Sequence, residues 1–564
     1  MPRFYALPFL RTTALLIALA LKLTLQTQAQ ALIQPPAWSG AVSLSPHPGN
    51  GRGYTFDADG NTYEVGSFSS NHTIGNTTLI CQGYSDAFVA KYSPSGQMLW
   101  VRQLGTAFNE DGLDIAVDAA GKVYITGLFY GSISLGNGLT LVGAPYNFSS
   151  KVFVVCYSPE GTPEWAQQSL NTQSSSAGGG SIGLDTAGTV YVTGNFTRSI
   201  TFGSYSIAAV DNIIGAATFL VRFDRATGTP LGVVKAFDRL SVDNAVSSTY
   251  PQMAVEPGGA VYLLISSLSQ PLLFGGTTFA SRGRDDIFVA HYSPQSAFEW
   301  VQQLGGAGDD TPSSGTTDAQ GNLYLSGYFT GPAQFGTTTL PGAGSVDGFV
   351  LKYSPQGALQ WLHSIGGAGS DSFSSPTLDA AGNVYVTGNF SGTAQLGTAS
   401  ITSAGNRDII VASYSAQGQL RWVQQAGGSG DDRAYGIGID RSGTLRVLGR
   451  YTGTCAFGTT SLTTAATTPE LFMAQLSSSP LAIRSSAKTV SLLAFPNPAN
   501  SQISLLGMPS GTPVQLLDAL GRVARATTLT AAAQVSVRGL APGLYTLRAI
   551  DAQGQQFAGK VVVE

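Results

Sequence analysis

The sequence predicts an all-β protein, and two observations lead to that prediction. Glycine and proline account for 70 and 27 of the 564 residues, whereas charged residues make up only 11%. A pattern of turn residues followed by alternating β-branched and aromatic residues also recurs along most of the chain. This balance excludes a disordered charged tail, a collagen and a helical coiled coil. It suits many short strands joined by tight turns.

Charge and cysteine content restrict the partners. A net charge of −4 provides no electrostatic attraction to nucleic acid or anionic lipid, so we expect no nucleic-acid partner. The three cysteines, Cys81, Cys156 and Cys455, cannot form a closed disulfide framework. No Cys-x-x-Cys or Cys/His cluster suggests a metal, and no organic cofactor is expected.

The first 29 residues have the order of a signal peptide. Arg3 and Arg11 precede an apolar run over 14–21, and the small residues Thr27 and Ala29 follow it. No other stretch approaches the roughly 20 apolar residues of a membrane helix. We therefore predict an exported chain without a transmembrane segment.

A repeat fills the middle of the chain. It combines an Asp-x-x-Gly turn with a strand of the form Val-Tyr-Val-Thr-Gly, because Asp binds nearby backbone amides and Gly accepts positive φ. Its seven copies are 57–68, 118–129, 185–196, 256–267, 318–329, 379–390 and 440–451. The tyrosine of the strand recurs at Tyr63, Tyr124, Tyr191, Tyr262, Tyr324 and Tyr385, with Arg446 in the last copy. This spacing predicts a four-stranded unit with a loop insertion.

A second block supplies the other two strands of each unit. It reads Asp-x-Phe-Val-x-x-Tyr-Ser-Pro-x-Gly and ends in Trp, as in residues 86–100, and it predicts a hairpin. We label the strands of each unit a to d, with the Asp-x-x-Gly turn between a and b. All six tryptophans fall on strand d, at Trp38, Trp100, Trp165, Trp300, Trp361 and Trp422. The fourth unit has no tryptophan near Phe237.

The two ends of the repeat complement each other. Trp38 begins the series with no strand before it, and Glu470–Leu476 ends it with no tryptophan strand after it. If these two strands pair, the last unit is assembled from both ends and no sheet edge is left exposed. Residues 30–476 are therefore predicted to form a seven-bladed β-propeller closed by an N-terminal strand.

The repeat resembles the bacterial β-propeller repeat family (SBBP-like repeats). The resemblance rests on Asp-x-x-Gly-Asn-x-Tyr-x-x-Gly-x-Phe, on Asp-x-Phe-Val-x-x-Tyr-Ser and on Trp-x-x-Gln-x-Gly-Gly, and it covers most of the chain. The fourth copy departs from it, with Glu256, Leu264 and Ser267 in place of Asp, Gly and Phe. The resemblance implies a fold and no particular chemistry.

The last 75 residues lose the repeat. A linker is predicted over 477–489, and 490–564 contain short strands between turns, as in a small Ig-like β-sandwich. The order of Phe495-Pro-Asn-Pro, Leu517-Asp-Ala-Leu-Gly-Arg, Leu540-Ala-Pro-Gly-Leu-Tyr and the final Gly-Lys-Val-Val-Val-Glu resembles the type A C-terminal sorting domain of the type IX secretion system. The resemblance implies recognition of 490–564 by that machinery and a secreted or cell-surface location. The alternative is an ordinary Ig-like accessory domain.

The candidate site residues are acidic and recur with the repeat. One column, in the loops between strands d and a, is Glu110, Asp310, Asp371 and Asp432, and a second, at the start of strand c, is Asp86, Asp286, Asp347 and Asp408, with Glu470 in the last unit. Both loops belong to one face of a propeller, so we expect that face to be acidic. These carboxylates could bind Ca²⁺ or sugar hydroxyls, or they could accept backbone hydrogen bonds in glycine-rich turns. Periodicity favours the second interpretation.

No catalytic constellation is visible. His291 and His363 read as tolerated strand residues, the tryptophan column reads as packing, and neither a Gly-x-Ser-x-Gly elbow nor a phosphate loop occurs. We expect a non-enzymatic binding scaffold with a glycan or protein ligand. The alternative is a secreted polysaccharide or peptide hydrolase or lyase that uses the acidic face. Clustering of Asp114 or Asp243 with a His, Arg or Tyr would favour the enzyme.

Overall fold

A computed structural model describes residues 32–564, apart from 45–46, 48, 75–76, 144–148, 172–174, 210–216, 241–249, 268, 465–468, 478–489, 493, 506–507, 519–522 and 551–555. The predicted signal peptide, most of the predicted linker and Asp243 therefore lie outside the described residues. The described part of the chain contains strands and no helix, as expected for an all-β protein. It divides into two units, Met1–Ser478 and Ser479–Glu564.

The first unit begins with a single strand and continues with seven groups of strands, here in chain order. The first strand and the first two groups are β1 (Trp38–Ser43); β2 (Asn50–Phe56), β3 (Thr62–Phe68), β4 (His72–Ile74), β5 (Thr77–Leu79), β6 (Asp86–Tyr92) and β7 (Met98–Leu104); then β8 (Asp111–Val117), β9 (Val123–Phe129), β10 (Ile133–Gly136), β11 (Leu139–Leu141), β12 (Lys151–Tyr157), β13 (Pro163–Gln168) and β14 (Leu170–Asn171).

The third and fourth groups are β15 (Ala177–Leu184), β16 (Thr189–Phe196), β17 (Ser199–Phe202), β18 (Tyr205–Ala208), β19 (Ala217–Asp224) and β20 (Pro230–Arg239); then β21 (Gln252–Val255), β22 (Val261–Ser266), β23 (Leu272–Phe274), β24 (Thr277–Phe279), β25 (Ile287–Tyr292) and β26 (Phe298–Gly306). The fifth group is β27 (Thr311–Thr317), β28 (Leu323–Phe329), β29 (Ala333–Phe335), β30 (Thr338–Leu340), β31 (Asp347–Tyr353) and β32 (Leu359–Gly367).

The last two groups are β33 (Ser372–Leu378), β34 (Val384–Phe390), β35 (Thr393–Leu396), β36 (Ala399–Thr402), β37 (Asp408–Tyr414) and β38 (Leu420–Gly428); then β39 (Arg433–Ile439), β40 (Leu445–Tyr451), β41 (Thr454–Phe457), β42 (Thr460–Thr463) and β43 (Glu470–Leu476). The second unit contains β44 (Val490–Ser491), β45 (Ala494–Phe495), β46 (Gln502–Leu505), β47 (Pro513–Leu517), β48 (Val523–Thr528), β49 (Gln534–Ser536), β50 (Gly543–Ile550) and β51 (Gln556–Val563).

Each group of the first unit builds an antiparallel four-stranded sheet. The orders are β2-β3-β6-β7, β8-β9-β12-β13, β15-β16-β19-β20, β21-β22-β25-β26, β27-β28-β31-β32, β33-β34-β37-β38 and β39-β40-β43-β1. The first strands of neighbouring sheets contact one another in sequence order, and the first strand of the last sheet, β39, contacts β2. Buried aliphatic and aromatic side chains fill the interfaces between neighbouring sheets.

The last sheet is assembled from both ends of the first unit. Strand β1 pairs with β43, and the register joins Trp38 to Leu476 and Ser43 to Phe472. The Trp38 ring meets Phe457 edge to face at 5.1 Å, and its indole N–H donates to the carbonyl of Gln425. The pairing expected between the strands around Trp38 and Phe472 is therefore present.

The aspartate of the repeat holds its own turn together. Asp57 Oδ1 accepts the amides of Asp59 and Asn61, and its Oδ2 accepts the hydroxyl of Tyr63 at 2.9 Å. Gly60 has a φ of +80°, a backbone conformation that residues with a side chain rarely adopt. The same contacts recur at Asp118, Asp318 and Asp379. The spacing of Asp, Gly and Tyr in the sequence is thus set by one turn and by the strand that follows it.

The loop insertion expected in each unit is an additional hairpin, and it lies between strands b and c. The seven described hairpins are β4-β5, β10-β11, β17-β18, β23-β24, β29-β30, β35-β36 and β41-β42. In four of them the first strand pairs with the end of the outermost strand of the preceding sheet, as Gly305 pairs with Gln334, and in a fifth β17 pairs with the short strand β14. Each such hairpin ties one sheet to the next.

The second unit contains two sheets. Their strand orders are β44-β51-β50-β47-β48 and β45-β46-β49. Side chains from both sheets, including Ile503, Val535, Leu516, Leu547 and Val561, form one buried core. The hydroxyl of Tyr545 donates to the carbonyl of Ala541 at 2.8 Å, which anchors the Ala-Pro-Gly-Leu-Tyr turn.

Candidate functional site

The structure brings the two acidic columns together but buries them. All eight carboxylate residues, Asp86, Glu110, Asp286, Asp310, Asp347, Asp371, Asp408 and Asp432, are at most 2% exposed. These carboxylates therefore do not contribute to the exposed surface of the face that the sequence predicts to be acidic. The sequence period gives their register along the strands, whereas their depth depends on the glycine-rich loops that cover them.

Each aspartate at the start of strand c accepts hydrogen bonds from its own sheet. Asp286 Oδ2 accepts the amide of Arg282 at 2.9 Å and the side-chain amide of Gln303. Asp86 makes the same two contacts with Gln82 and Gln103. These contacts fix the turn that precedes strand c.

The aspartates of the other column close the loop from one sheet to the next. Asp310 Oδ2 accepts the amide of Gly306 at 2.7 Å, and Asp371 and Asp432 accept the amides of Ser391 and Thr452. Burial raises the pKa of Asp310, Asp371 and Asp432 to about 6. The neighbouring carboxylates Asp286, Asp347 and Asp408 add to this increase in the pKa.

The two columns form pairs of carboxylates around a glycine. A Cβ atom on Gly305 would lie 2.5 Å from Asp310 Oδ2 and 2.9 Å from Asp286 Oδ1, and Gly305 has a φ of +134°. Only glycine fits there, which explains the Gly-Gly sequence of the loop. Within the described residues, one oxygen each of Asp286, Asp310, Asp347 and Asp371 has no hydrogen-bond partner. Glu110 differs, because Thr106 and the amide of Tyr130 satisfy both of its oxygens.

The other candidates have structural contacts. His291 lies 2.9 Å from Glu256 and 2.8 Å from Glu299, and the ring of His363 stacks on Tyr414 at 4.9 Å. The indole N–H groups of Trp100, Trp165, Trp300 and Trp361 donate to carbonyls in the c-to-d turn of the next sheet.

Asp114 is partly buried and bridges two sheets. It accepts hydrogen bonds from the hydroxyl of Ser181 and the amide of Ile182, and burial raises its pKa. No His, Arg or Tyr hydrogen-bonds to Asp114 within the described residues. Nor does any group of three or more His, Cys, Asp or Glu in the described ranges have an arrangement suited to a metal ion.

One buried polar cluster was missed by the sequence interpretation. Glu64 occupies the position after the repeat tyrosine, and its carboxylate lies 2.6 and 2.7 Å from the Nε2 atom of His47. The hydroxyl of Tyr92 lies 3.5 Å away, and Tyr54 also hydrogen-bonds to Glu64. The six equivalent residues are the buried aliphatics Ile125, Val192, Leu263, Leu325, Val386 and Val447. Alignment of the copies would have revealed this exception.

The Glu64 cluster lies in the interface between the first and last sheets. There, Phe68, Phe88 and Tyr92 of the first sheet pack with Leu448 and Met473 of the last sheet. The hydroxyl of Thr62 contacts the sulfur of Met473. We call this interface the seam, because it joins the two ends of the repeat.

Comparison with known families identifies the C-terminal region. Residues 493–564 match the family described as "Secretion system C-terminal sorting domain". The expected type IX sorting domain is therefore confirmed. The protein is exported by type IX secretion to the cell surface or the medium. No helix in the described part of the chain has the length and hydropathy needed to span a membrane.

Two curated proteins resemble parts of the chain. The "Uncharacterized WD repeat-containing protein L264" of Acanthamoeba polyphaga mimivirus is 27% identical over 189 residues, covering 29% of this chain and 14% of that protein. The "Regulatory protein FlaEY" of Caulobacter vibrioides is 24% identical over 433 residues, covering 62% of this chain and 44% of that protein. The chain thus spans less than half the length of each of these relatives.

Solved structures show only distant similarity. A crystal structure of puromycin hydrolase is 10% identical, with 94% of this chain and 63% of that chain covered and a TM-score of 0.36. A carbohydrate-active enzyme of Trichoderma reesei is 11% identical, with 80% and 100% covered and a TM-score of 0.28. Scores this low assign neither a fold nor a function to the chain.

Proposed function

We propose that residues 30–476 form a seven-bladed β-propeller that serves as a non-enzymatic binding scaffold outside the cell. The proposal rests mainly on the contacts between the first strands of neighbouring sheets, which run from β2 through β39 and back to β2. Pairing of β1 with β43 supports closure, as does the WD repeat in the name of one relative. A closed ring leaves loops and strand starts available for binding.

The C-terminal unit gives the scaffold its destination. Recognition of the sorting domain by the type IX machinery follows from its family match. We further propose that this domain is an Ig-like sandwich bounded by 490–564, with a linker over 477–489. Deleting 490–564 should leave the chain in the periplasm, as fractionation and immunoblotting would reveal. Secretion of the truncated chain at the full-length rate would refute this role.

Burial of the carboxylates favours binding over hydrolysis. A hydrolase or lyase that used the two acidic columns would need them to touch substrate, yet all eight are at most 2% exposed. The purified protein should therefore bind a glycan or a protein in an array screen and release no product in a panel of glycosidase, lyase and peptidase assays. Turnover abolished by a single point substitution would replace this proposal with the enzymatic one.

Calcium binding by the eight carboxylates stays a prediction. The aspartate pairs offer hard oxygen ligands, but Ca²⁺ takes six to eight of them. Adding Ca²⁺ to the chelator-treated protein should raise the melting temperature if the pairs bind it, and Asp310→Asn should reduce the increase. An unchanged melting temperature in both proteins would mean that these residues do not bind Ca²⁺ and only hold their turns together.

A further inference from the structure

We propose that the seam binds an acidic polysaccharide through Arg52, Arg433 and Arg450, here called the seam arginines. This inference rests on the proposed function as a binding scaffold and adds to it a location and a ligand class. It goes beyond the repeat, because these residues depart from their equivalents in the other sheets.

The first observation is a pair of like charges. Arg433 begins β39 and lies directly opposite Arg450 of β40 in the antiparallel register. The corresponding pairs at the same level of other sheets are Asn50 with Ser67, Asp111 with Leu128, Gly178 with Asn195, Thr311 with Tyr328, and Ser372 with Asn389. Like charges directly opposite each other destabilise a sheet. The two arginines therefore destabilise this part of the sheet, and packing does not explain why they are there.

The second observation is that a third arginine lies on the neighbouring strand β2, with its side chain directed to Asp111 of the second sheet. Arg450 Nη2 donates to Asn50 Oδ1 of β2 at 2.9 Å, and Arg52 follows two residues later on that strand. Arg52 occupies a bulge, as do Leu113, Gly180, Ser313, Ser374 and Tyr435 in five other sheets. The rings of Tyr54 and Tyr435 lie parallel across the same seam, with their centroids 6.1 Å apart. Both ends of the repeat therefore contribute to one surface.

The third observation is that nearby carboxylates do not neutralise all three seam arginines. Arg433 forms a fork with Asp431 at 2.6 Å, and Arg52 lies 3.5 Å from Asp111 while its side chain remains 57% exposed. Arg450 forms no ion pair within the described residues, where its hydrogen-bond partner is the neutral Asn50. Each guanidinium has five N–H donors. Donors thus remain for a ligand, and three cations face two anions in a chain whose net charge is −4.

The polar character of the other strand starts favours a saccharide over a peptide. At the same two levels the fifth and sixth sheets carry hydroxyl groups, from Thr311, Ser313, Ser372 and Ser374. Such groups hydrogen-bond to sugar hydroxyls, whereas an acidic peptide, another usual ligand of arginine clusters, offers few hydroxyls to them. Guanidinium forks match carboxylates in a bidentate geometry. A polymer that alternates hydroxyls with carboxylates complements this surface.

The test compares two polymers that differ in charge. Polygalacturonate has a carboxylate on every residue, and its methyl ester is the neutral counterpart. The purified protein should bind polygalacturonate at least about tenfold more tightly than the ester in calorimetry, and binding should weaken as salt is added. Equal affinity for both polymers, or no binding to polygalacturonate, would overturn the inference.

Substitutions then locate the site. Arg450→Gln and Arg52→Gln should each lower the affinity for polygalacturonate about tenfold, and Arg450→Lys should lower it less. Arg284→Gln is the matched control, because Arg284 is exposed, pairs with Asp309 and lies outside the seam. An equal loss in Arg284→Gln, or tighter binding of poly-glutamate than of polygalacturonate, would overturn the inference. If the protein binds a neutral glycan and none of the four substitutions changes the affinity, the inference is also overturned. The proposed function as a binding scaffold would then still hold.

Discussion

The seam differs from the six interfaces between consecutive sheets. Those interfaces repeat one another, with an aliphatic residue such as Ile125 or Val386 packed against the preceding sheet. At the seam, Glu64 occupies that position and pairs with His47, and the two opposed arginines lie at its edge. The comparison teaches that the recurring residues maintain the sheets, whereas Glu64, Arg433 and Arg450 depart from the repeat where the first and last sheets meet.

Removal of the N-terminal strand should have the largest effect. Deleting residues 32–48 removes β1 and its packing of Trp38 on Phe457, and exposes the edge of β43. We expect the melting temperature to fall by more than about 10 °C in calorimetry. An unchanged melting temperature would show that the last sheet is stable without β1 and that the seam does not close the ring.

Breaking the buried pair of the seam should be the next largest effect. His47→Leu leaves the carboxylate of Glu64, which is 0% exposed, without its imidazole partner. The free energy of unfolding in urea should fall by about 3 kcal/mol. The double substitution His47→Leu and Glu64→Leu should recover most of the loss, because it restores the apolar residue found in the other sheets. A double variant no more stable than His47→Leu would mean that the pair is not the reason for the loss.

A pH dependence should come from the interfaces between consecutive sheets. The pKa of Asp310, Asp371 and Asp432 is about 6 in the folded protein, against an ordinary value of 3.8, so folding favours their protonated forms. Their contribution to stability is fully present below about pH 4 and is lost as the pH rises through 6. The seam has Gly49 at the equivalent position and therefore lacks this carboxylate.

Two further variants test this pH dependence. The second of them is a control in which the change in stability with pH should have the opposite sign. Replacing all three aspartates by asparagine should reduce the decline in melting temperature between pH 4 and pH 7 in chelator, because burial also raises the pKa of Asp86, Glu110, Asp114 and Asp408. At Asp379, burial raises the pKa but hydrogen bonds from Asn383 and Tyr385 outweigh it, so the pKa is lowered. Asp379→Asn should therefore cost stability mainly near neutral pH. A decline in the triple variant as steep as in the unsubstituted protein would rule out these three carboxylates as a source.

The smallest expected effect separates stability from binding at the seam. Arg450→Gln removes the like-charge pair with Arg433 and should raise the free energy of unfolding by about 0.5 kcal/mol. Chemical denaturation at low salt would measure this gain, with Arg284→Gln as the control. A loss of stability would mean that Arg450 is there to hold the sheet together.

The sequence predicted the elements better than the site. Asp57, Gly60 and Tyr63 belong to one turn and the strand after it, so their spacing alone locates the strands. The unmatched strands around Trp38 and Phe472 were enough to predict their pairing. The added hairpins could not be predicted, because their short strands vary and depend on the end of the preceding sheet.

The site was harder to predict because depth and long-range contacts leave no periodic signal. Asp310 looks the same in the sequence whether it is exposed or covered by Gly305 and Gly306. His47 lies in an irregular segment 17 residues from Glu64, and nothing in its neighbours indicates that contact. The opposition of Arg433 and Arg450 becomes apparent only when the register of β39 and β40 is known.

Hydrogen exchange of the seam strands is the most direct test of the central claim that the ring closes through β1 and β43. In the full chain, the backbone amides of Val42 and Leu44, which face β43, should exchange as slowly as those of β43 and of the central strands β6 and β37. Exchange of the β1 amides at the rate of an unstructured segment, with β43 exposed on one edge, would contradict closure and would remove the structural basis for ligand binding at the seam.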